Sequence, residues 1–283
     1  VNKTHIDDYQ MLTLLGAGGE GTVFLTRQRS TGEKFVLKVR HEPIRGTATA
    51  GLKLYASQVA PNLYGLPVIS LLGDADEIVA IAYPFAPLYP IHWRIPVYFE
   101  SAAQAIFGAY CRMQSYLLTR ANIVLLDTVK DNFMIARDGQ IHFVDFGFGV
   151  RSAHHPQVVD EGRLGYGFAM MLLSLYNQNL KLEMRPAAGY AQDRPCVYCA
   201  SRSLDQLAGR HAWIAEILSQ VRSRNASTFA EASFYQRIGE RLPSRLPWPT
   251  LIVGFTRLHH RWGRIKTLLN LPPRDKAHPA RET

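Results

Sequence analysis

The stretch LLDTVKDNFMI, followed after ARDGQIHF by VDFG, constrains the fold more than any other part of the chain. Two short apolar runs, Asn132 to Ala136 and Gln140 to Phe146, flank Asp138-Gly139, and an Asp-Gly pair between such runs signals a tight hairpin. That hairpin predicts Asn132 and Asp145 at the same end of a paired strand unit. Asp127 precedes Asn132 by five residues. One carboxylate in such a set can accept the proton of an attacking hydroxyl, while an amide oxygen and a second carboxylate supply hard ligands for Mg²⁺. Taken alone, Asp127 and Asn132 read equally well as a surface turn, so the chemistry rests on what accompanies them.

Upstream, Gly16, Gly18 and Gly21 of GAGGEGTV, with Gly19 between them and Val23 after them, give the spacing G-x-G-x-x-G-x-V. Glycines there let a hairpin approach phosphates closely and present backbone N–H groups to them. In a dinucleotide fold the same triplet opens a helix, whereas here a second strand pattern follows, which argues against that fold. Lys38 in VLKV lies 17 residues after Gly21, where an ammonium can neutralise phosphate charge beneath the loop. Its bland reading is a solvated lysine near a strand end.

The first 86 residues read as a β-rich unit. Strands are predicted around MLTLL, TVFLT, KFVLKV and EIVAIAY, with a helix over residues 48–60 and a connector marked by Pro84 and Pro87. From residue 87 a mostly helical unit is predicted. It opens with a helix capped by Ser101 and striped by Ile106, Tyr110, Met113 and Leu117, and it breaks at RLPSRLPWP. The fold class expected is α+β and bilobal, residues 1–86 forming one lobe and 87–283 the other.

Charge narrows the partners only loosely. Lys and Arg number 32 against 23 Asp and Glu, a net of +9, and from His211 onward twelve basic residues face five acidic ones. An acidic partner or a membrane surface suits that end, and nucleic acid is not the expected partner. HHRWGRIK, from His259, reads either as such a contact or as a solvated helix face. The three cysteines, Cys111, Cys196 and Cys199, cannot make a disulfide framework, so the cytoplasm or another reducing compartment is expected. Cys196 and Cys199 have metal or redox spacing, although two buried thiols are the simpler reading. No apolar run approaches the roughly 20 residues that span a bilayer. The chain does not begin with Met, so it is expected to be a processed or excised segment.

Over about Tyr9 to Tyr176 the chain resembles the protein kinase-like superfamily, YLLTRANIVLLDTVKDNFMI looking much like a kinase catalytic segment. The resemblance implies ATP and Mg²⁺ bound between the two lobes. It implies that Gly16, Gly18, Gly19, Gly21 and Val23 cover the nucleotide and that Lys38 pairs with its phosphates. Asp127 is then the base, Asn132 and Asp145 hold metal, and Ala82, Tyr83 and Phe85 belong to the connector that meets adenine. Asp160, in DEGRLG, resembles a helix-start aspartate that braces the catalytic loop.

The departures are specific. Leu125 and Leu126 stand where the family has His and Arg before the catalytic Asp, removing the usual receiver for a phosphorylated loop. Lys130 lies one residue beyond the family's lysine position, from which it is expected to reach toward the γ-phosphate. The helix-like segment 47–60 contains no acid, which leaves Glu42 as the nearest candidate partner of Lys38. Asp145 and Asp160 are only 15 positions apart, a short span for docking a peptide. An atypical Ser/Thr protein kinase is narrowly expected, against a kinase of small or lipid alcohols, a nucleotidyl transferase, or a nucleotide-binding pseudokinase scaffold. The substrate is a protein or a small hydroxyl-bearing molecule.

Overall fold

The computed structural model describes residues 5–46, 49–50, 52–53, 56, 70–73, 77–91, 94–126, 128–145, 150–153, 158, 162–178, 193–255 and 257. The expectations for Asp127, Phe146, Gly147, Asp160 and the HHRWGRIK segment therefore lie outside the described residues. The chain forms two lobes, a β-rich sheet region and a largely helical region, as in the bilobal kinase fold.

The N-terminal sheet contains β1 (Tyr9–Gly18), β2 (Gly21–Gln28), β3 (Lys34–Arg45), β4 (Ser70–Leu72) and β5 (Glu77–Pro84) in the antiparallel order β1-β2-β3-β5-β4. Alternation sorts its two faces. Phe35, Leu37, Ala80 and Ala82 pack with Tyr9 and Leu72 on one side; Ile81 and Tyr83 join the large core on the other. Val36, partly buried, also packs on that core, while Lys38 and Arg40, at the same parity, bring charge to the site face. The edge strand β1 is exposed from Gln10 to Leu15, and register shifts between Met11 and Thr13 and between Leu14 and Gly16 interrupt its pairing, a common way to blunt an edge. Of the helix expected over 48–60, Thr49, Ala50, Leu52, Lys53 and Ala56 are helical, and Leu52 enters the main core.

The second region begins with β6 (Tyr89–Pro90) and α1 (Arg94–Tyr98), then the 22-residue α2 (Glu100–Ala121). The helix starts at Phe99, which caps it without a side-chain hydrogen bond, so Ser101 lies in the first turn. The chain enters α2 almost directly from α1, and the Phe99 N–H bonds the Ile95 carbonyl, leaving Ser101 no capping role. The expected stripe of Ile106, Tyr110, Met113 and Leu117 is fully internal, and 14 of the helix residues are buried, so α2 is the central post of this lobe. Asn122 ends it at φ 50°, a left-handed conformation that asparagine tolerates.

Beyond α2 come β7 (Ile123–Leu125), β8 (Phe133–Ile135), β9 (Ile141–Phe143) and β10 (Val150–Ser152), followed by α3 (Arg163–Leu175), α4 (Arg202–Ala208), α5 (Ala212–Arg222) and α6 (Ala232–Arg241). Strand β10 pairs with β7, and β6-β8-β9 form a small sheet. Phe107, Tyr110, Phe168, Phe229, Phe234 and Tyr235 make ring contacts with centroids 5.2–6.5 Å apart, which join α2, α3 and α6. Among the described residues no helix is long and apolar enough to cross a membrane.

Candidate functional site

Strand register builds the roof of the site. Gly16 lies opposite Val23, Val23 opposite Lys38, and Lys38 opposite Ile81, so these residues form one row across β1, β2, β3 and β5. Directly opposite residues share a face, which puts the glycine hairpin, Val23 and Lys38 on the same side of the sheet. A Cβ at Gly16, Gly18 or Gly19 would meet no described atom within 4 Å, so packing among the described residues does not demand glycine there. Gly21 is different: a Cβ would lie 2.4 Å from the Val39 carbonyl oxygen, and only glycine permits β2 to approach β3 so closely.

The floor is the β8–β9 hairpin. Phe133 pairs with Phe143, and the Val144 N–H bonds the Asn132 carbonyl at 2.9 Å, placing Asn132 beside the segment that ends in Asp145. The turn is made at Asp138 and Gly139. Gly139 takes φ 86°, and the Asp138 carboxylate accepts the Gln140 N–H at 3.0 Å. The convergence expected from that Asp-Gly pair is therefore present in the backbone.

Roof and floor meet at Lys38. Its Nζ donates to both carboxylate oxygens of Asp145, at 2.7 and 2.6 Å, across 107 residues of sequence. It also donates to Glu20 Oε2 at 3.2 Å, and Arg40 Nη1 donates to that same oxygen at 2.6 Å. The Lys38 and Arg40 side chains are 9% and 2% exposed against 42% for Glu20, so two sheltered cations hold one half-open carboxylate. Burial works to raise the Glu20 pKa, but the hydrogen bond from Arg40 and the charge of Lys38 outweigh it and hold the carboxyl below its ordinary value.

This corrects the expectation for Glu42. The β3–β5 register shifts between Val39 and Ile44, and Glu42 in that interval is exposed; the acid reaching Lys38 is Glu20, from the turn between β1 and β2. The connector is also later than expected. Ala82 and Tyr83 are buried strand residues, Ala82 lying opposite both Leu37 and Ser70, and β5 runs to Pro84. The irregular connector starts at Phe85, whose N–H is committed to the Lys34 carbonyl at 3.2 Å. Lys130 is buried and its Nζ binds the neighbouring Asp131.

The segment around Asp127 is held from both sides by groups that sequence reasoning passed over. On α2, the fully buried Gln114 accepts the Leu125 N–H at 2.9 Å and donates to the Leu125 carbonyl at 3.2 Å. Beyond it, buried Thr128 donates to the Gly167 carbonyl on α3 at 2.8 Å, and the Lys130 N–H bonds Ser174 Oγ at 3.0 Å. A Cβ at Gly167 would stand 3.0 Å from Thr128 Oγ1, so that glycine allows α3 to come against the loop. Nothing in the apolar pattern of α2 marks Gln114, because its partner depends on where β7 passes.

Cys196 and Cys199 are both buried, and Cys199 Sγ donates to Cys196 Sγ at 3.1 Å. Burial pushes the Cys199 thiol well above its ordinary value, with the neighbouring Cys196 adding to the shift. Among the described residues no group of three or more His, Cys, Asp and Glu could hold a metal ion. Asn132 and Asp145, a side-chain amide and a carboxylate, are the hard-oxygen types that suit Mg²⁺.

No protein-family model matches the chain. Partial similarity extends to curated protein kinases. The chain is 24% identical over 169 residues to the probable serine/threonine protein kinase IREH1 of Arabidopsis thaliana, 52% of this chain and 12% of that protein. It is 29% identical over 151 residues to RAC-beta serine/threonine-protein kinase B of Xenopus laevis, 51% of this chain and 31% of that protein. For mitogen-activated protein kinase kinase 2 of Arabidopsis thaliana the identity is 27% over 157 residues, 52% of this chain and 41% of that protein. The chain thus matches between 12% and 41% of the length of these relatives. Together with the two-lobed architecture, these distant matches support membership of the kinase-like superfamily.

Proposed function

We propose that the chain is an ATP- and Mg²⁺-dependent phosphotransferase acting on a hydroxyl group, with a Ser or Thr of a protein as the favoured acceptor. The observation that carries this reading is the bond of Lys38 to both oxygens of Asp145 beneath the glycine hairpin. It joins the candidate phosphate cation on β3 to the candidate metal ligand just beyond β9. In this reading the hairpin from Gly16 to Gly21 and Val23 cover the nucleotide, Lys38 binds its phosphates, and the connector after Pro84 borders the base. Asn132 and Asp145 would hold the metal, which when bound neutralises phosphate charge and fixes the polyphosphate. Asp127 is assigned to orient the acceptor hydroxyl and take its proton. Most of the work in such a site is positioning and charge neutralisation.

The 15-residue span from Asp145 to Asp160 favours a smaller alcohol or a lipid as a second reading, since neither requires a long peptide platform. The leucines before Asp127 and the lack of an acid in segment 47–60 favour a nucleotide-binding scaffold. ATP labelled in the γ position and ATP labelled in the α position, offered with Mg²⁺ to protein, lipid and small-alcohol acceptors, separate these readings. Transfer of γ label, reduced at least about a hundredfold in D127A and D145A, is the expected result. Transfer of α label would replace phosphorylation with nucleotidyl transfer. ATP binding with no turnover on any acceptor would leave the scaffold reading.

A further inference from the structure

Lys38 is not the only sheltered cation under the glycine hairpin. Arg40 follows it by two residues on β3, so both side chains leave the same face of the strand. Its row across the sheet is Gly18, Gly21, Arg40. Both hairpin positions in line with Arg40 therefore lack side chains, and a Cβ at Gly18 would meet no described atom within 4 Å. At Gly21 the backbone comes directly against β3, so the open space in this row lies at Gly18, and an anion would reach the guanidinium from that side, where Glu20 now reaches it.

Glu20 reaches that region now. It lies in the two-residue turn closed by the Gly18–Gly21 pair, with glycine on either side, and a single oxygen, Oε2, takes bonds from Arg40 at 2.6 Å and Lys38 at 3.2 Å. A polyphosphate neutralised in the same place would set its oxygens against this carboxylate, and like charges a few ångström apart repel. The costs of separation are unequal. Glu20 is already 42% exposed and regains water as it leaves, and Lys38 keeps both bonds to Asp145, whereas the 2% exposed Arg40 side chain gives up a charge-assisted bond that a phosphate oxygen can replace.

We propose that Arg40 is a second polyphosphate-binding cation beside Lys38, and that Glu20 is an internal anion occupying their phosphate position until a nucleoside triphosphate displaces it. The inference rests on the nucleotide reading of this site. It names the triphosphate tail, rather than the base, as the part of the ligand that the pair discriminates. Arg supplies a planar fork suited to two phosphate oxygens where Lys supplies a point charge.

Titration calorimetry of the full chain with ATP, AMP and inorganic tripolyphosphate tests this, with an unliganded thermal melt for every variant. Glu20→Gln keeps the size of the side chain and removes its charge; it is expected to bind ATP and tripolyphosphate at least about fivefold more tightly than wild type while AMP changes little. Arg40→Gln is expected to weaken ATP and tripolyphosphate at least about tenfold with AMP again little changed. Because Arg40→Gln leaves Glu20 with one partner fewer, the E20Q/R40M double variant removes both charges together, and it is expected to bind ATP more weakly than E20Q. Unchanged or weaker triphosphate binding in E20Q overturns the proposal and makes Glu20 an orienting partner of Lys38. ATP affinity in the double variant equal to that of E20Q also overturns it. Failure of wild type and E20Q alike to bind ATP or tripolyphosphate instead brings down the nucleotide reading itself.

Discussion

Replacing Gln114 by Leu isolates a single support of the segment that carries Asp127. The side chain is 0% exposed and Leu125 is 1% exposed, and the two residues exchange a complete pair of hydrogen bonds, N–H to Oε1 and Nε2 to carbonyl. Leu125 lies opposite Val150 in the β7–β10 pair, and its own N–H and carbonyl turn toward α2. Leucine fills most of the glutamine volume, so the main loss is a buried N–H and a buried carbonyl left without partners. At about 1–3 kcal/mol for each group, offset by no longer burying an amide, the expected destabilisation is about 2–4 kcal/mol. Urea unfolding followed by fluorescence reads it as a lower midpoint at unchanged slope. Nucleotide affinity should hold while γ-phosphate transfer falls, because Asp127 is two residues from Leu125 and the nucleotide roof is remote. A Q114L midpoint corresponding to less than about 0.5 kcal/mol would refute the claim that this pair anchors the loop.

Three further outcomes follow from the packing. Arg112 on α2 donates to the carbonyls of Gly239, Leu242 and Pro243 at 2.6, 3.3 and 2.9 Å, closing the end of α6; R112M is expected to cost about 2–3 kcal/mol in chemical denaturation, and R112K to recover less than half, since a point donor lacks the fork. A Cβ at Gly165 would stand 2.6 Å from the Cys196 sulfur, so G165A should destabilise by about 1–3 kcal/mol and lose much of that penalty when combined with C196A, a non-additivity a double-mutant cycle measures. Burial lowers the pKa of His142 below 6.5, with Asp138 opposing the shift. A base whose folded pKa is depressed contributes stability that is complete above 6.5 and lost as the pH falls through the folded value, so the wild-type melting temperature should drop below pH 6.5 more steeply than that of H142Q.

What was legible in the sequence was what local pattern decides. The first three strands, the Asp138-Gly139 turn and the apolar stripe of α2 are set by alternation, turn chemistry and helical period, and they stand where those rules put them. That Lys38 and Asp145 come together was legible because a lysine on the third strand and an acid after a hairpin are distinctive residue types in a distinctive order. Glu20 was not. Its pairing depends on the registers of β1 with β2 and of β2 with β3, and it lies 18 residues from Lys38, whereas Glu42 is closer in sequence but falls in a stretch where the register shifts. Ser101, a good cap in isolation, predicts a start for α2 two residues later than the observed one, because α1 running into α2 removes the need for a cap. The connector begins later than the sequence predicts because Pro84 ends the strand after Ala82 and Tyr83 rather than interrupting it.

Leu125 and Leu126 stand where the family resembled has His and Arg, and the chain around them is tied down by α2 and α3. Leu125 is a buried strand residue fixed through its backbone by Gln114, Thr128 is fixed to Gly167, and the Lys130 N–H is fixed to Ser174. The three anchors come from α2 and α3, whose faces are buried in the main core, so none of them waits on a charge added to another loop. The acid on Lys38 has moved in a comparable way, from a helix to the tip of the glycine hairpin. A helical acid would hold Lys38 from below whether or not ligand is present. An acid on the hairpin occupies the position that the proposed nucleotide reading gives to phosphates, and in that reading it moves when they bind. If the nucleotide reading holds, the chain combines a loop braced by its own helices with a roof whose charge balance depends on occupancy, and control by the ligand itself then follows more directly from this arrangement than control by phosphorylation.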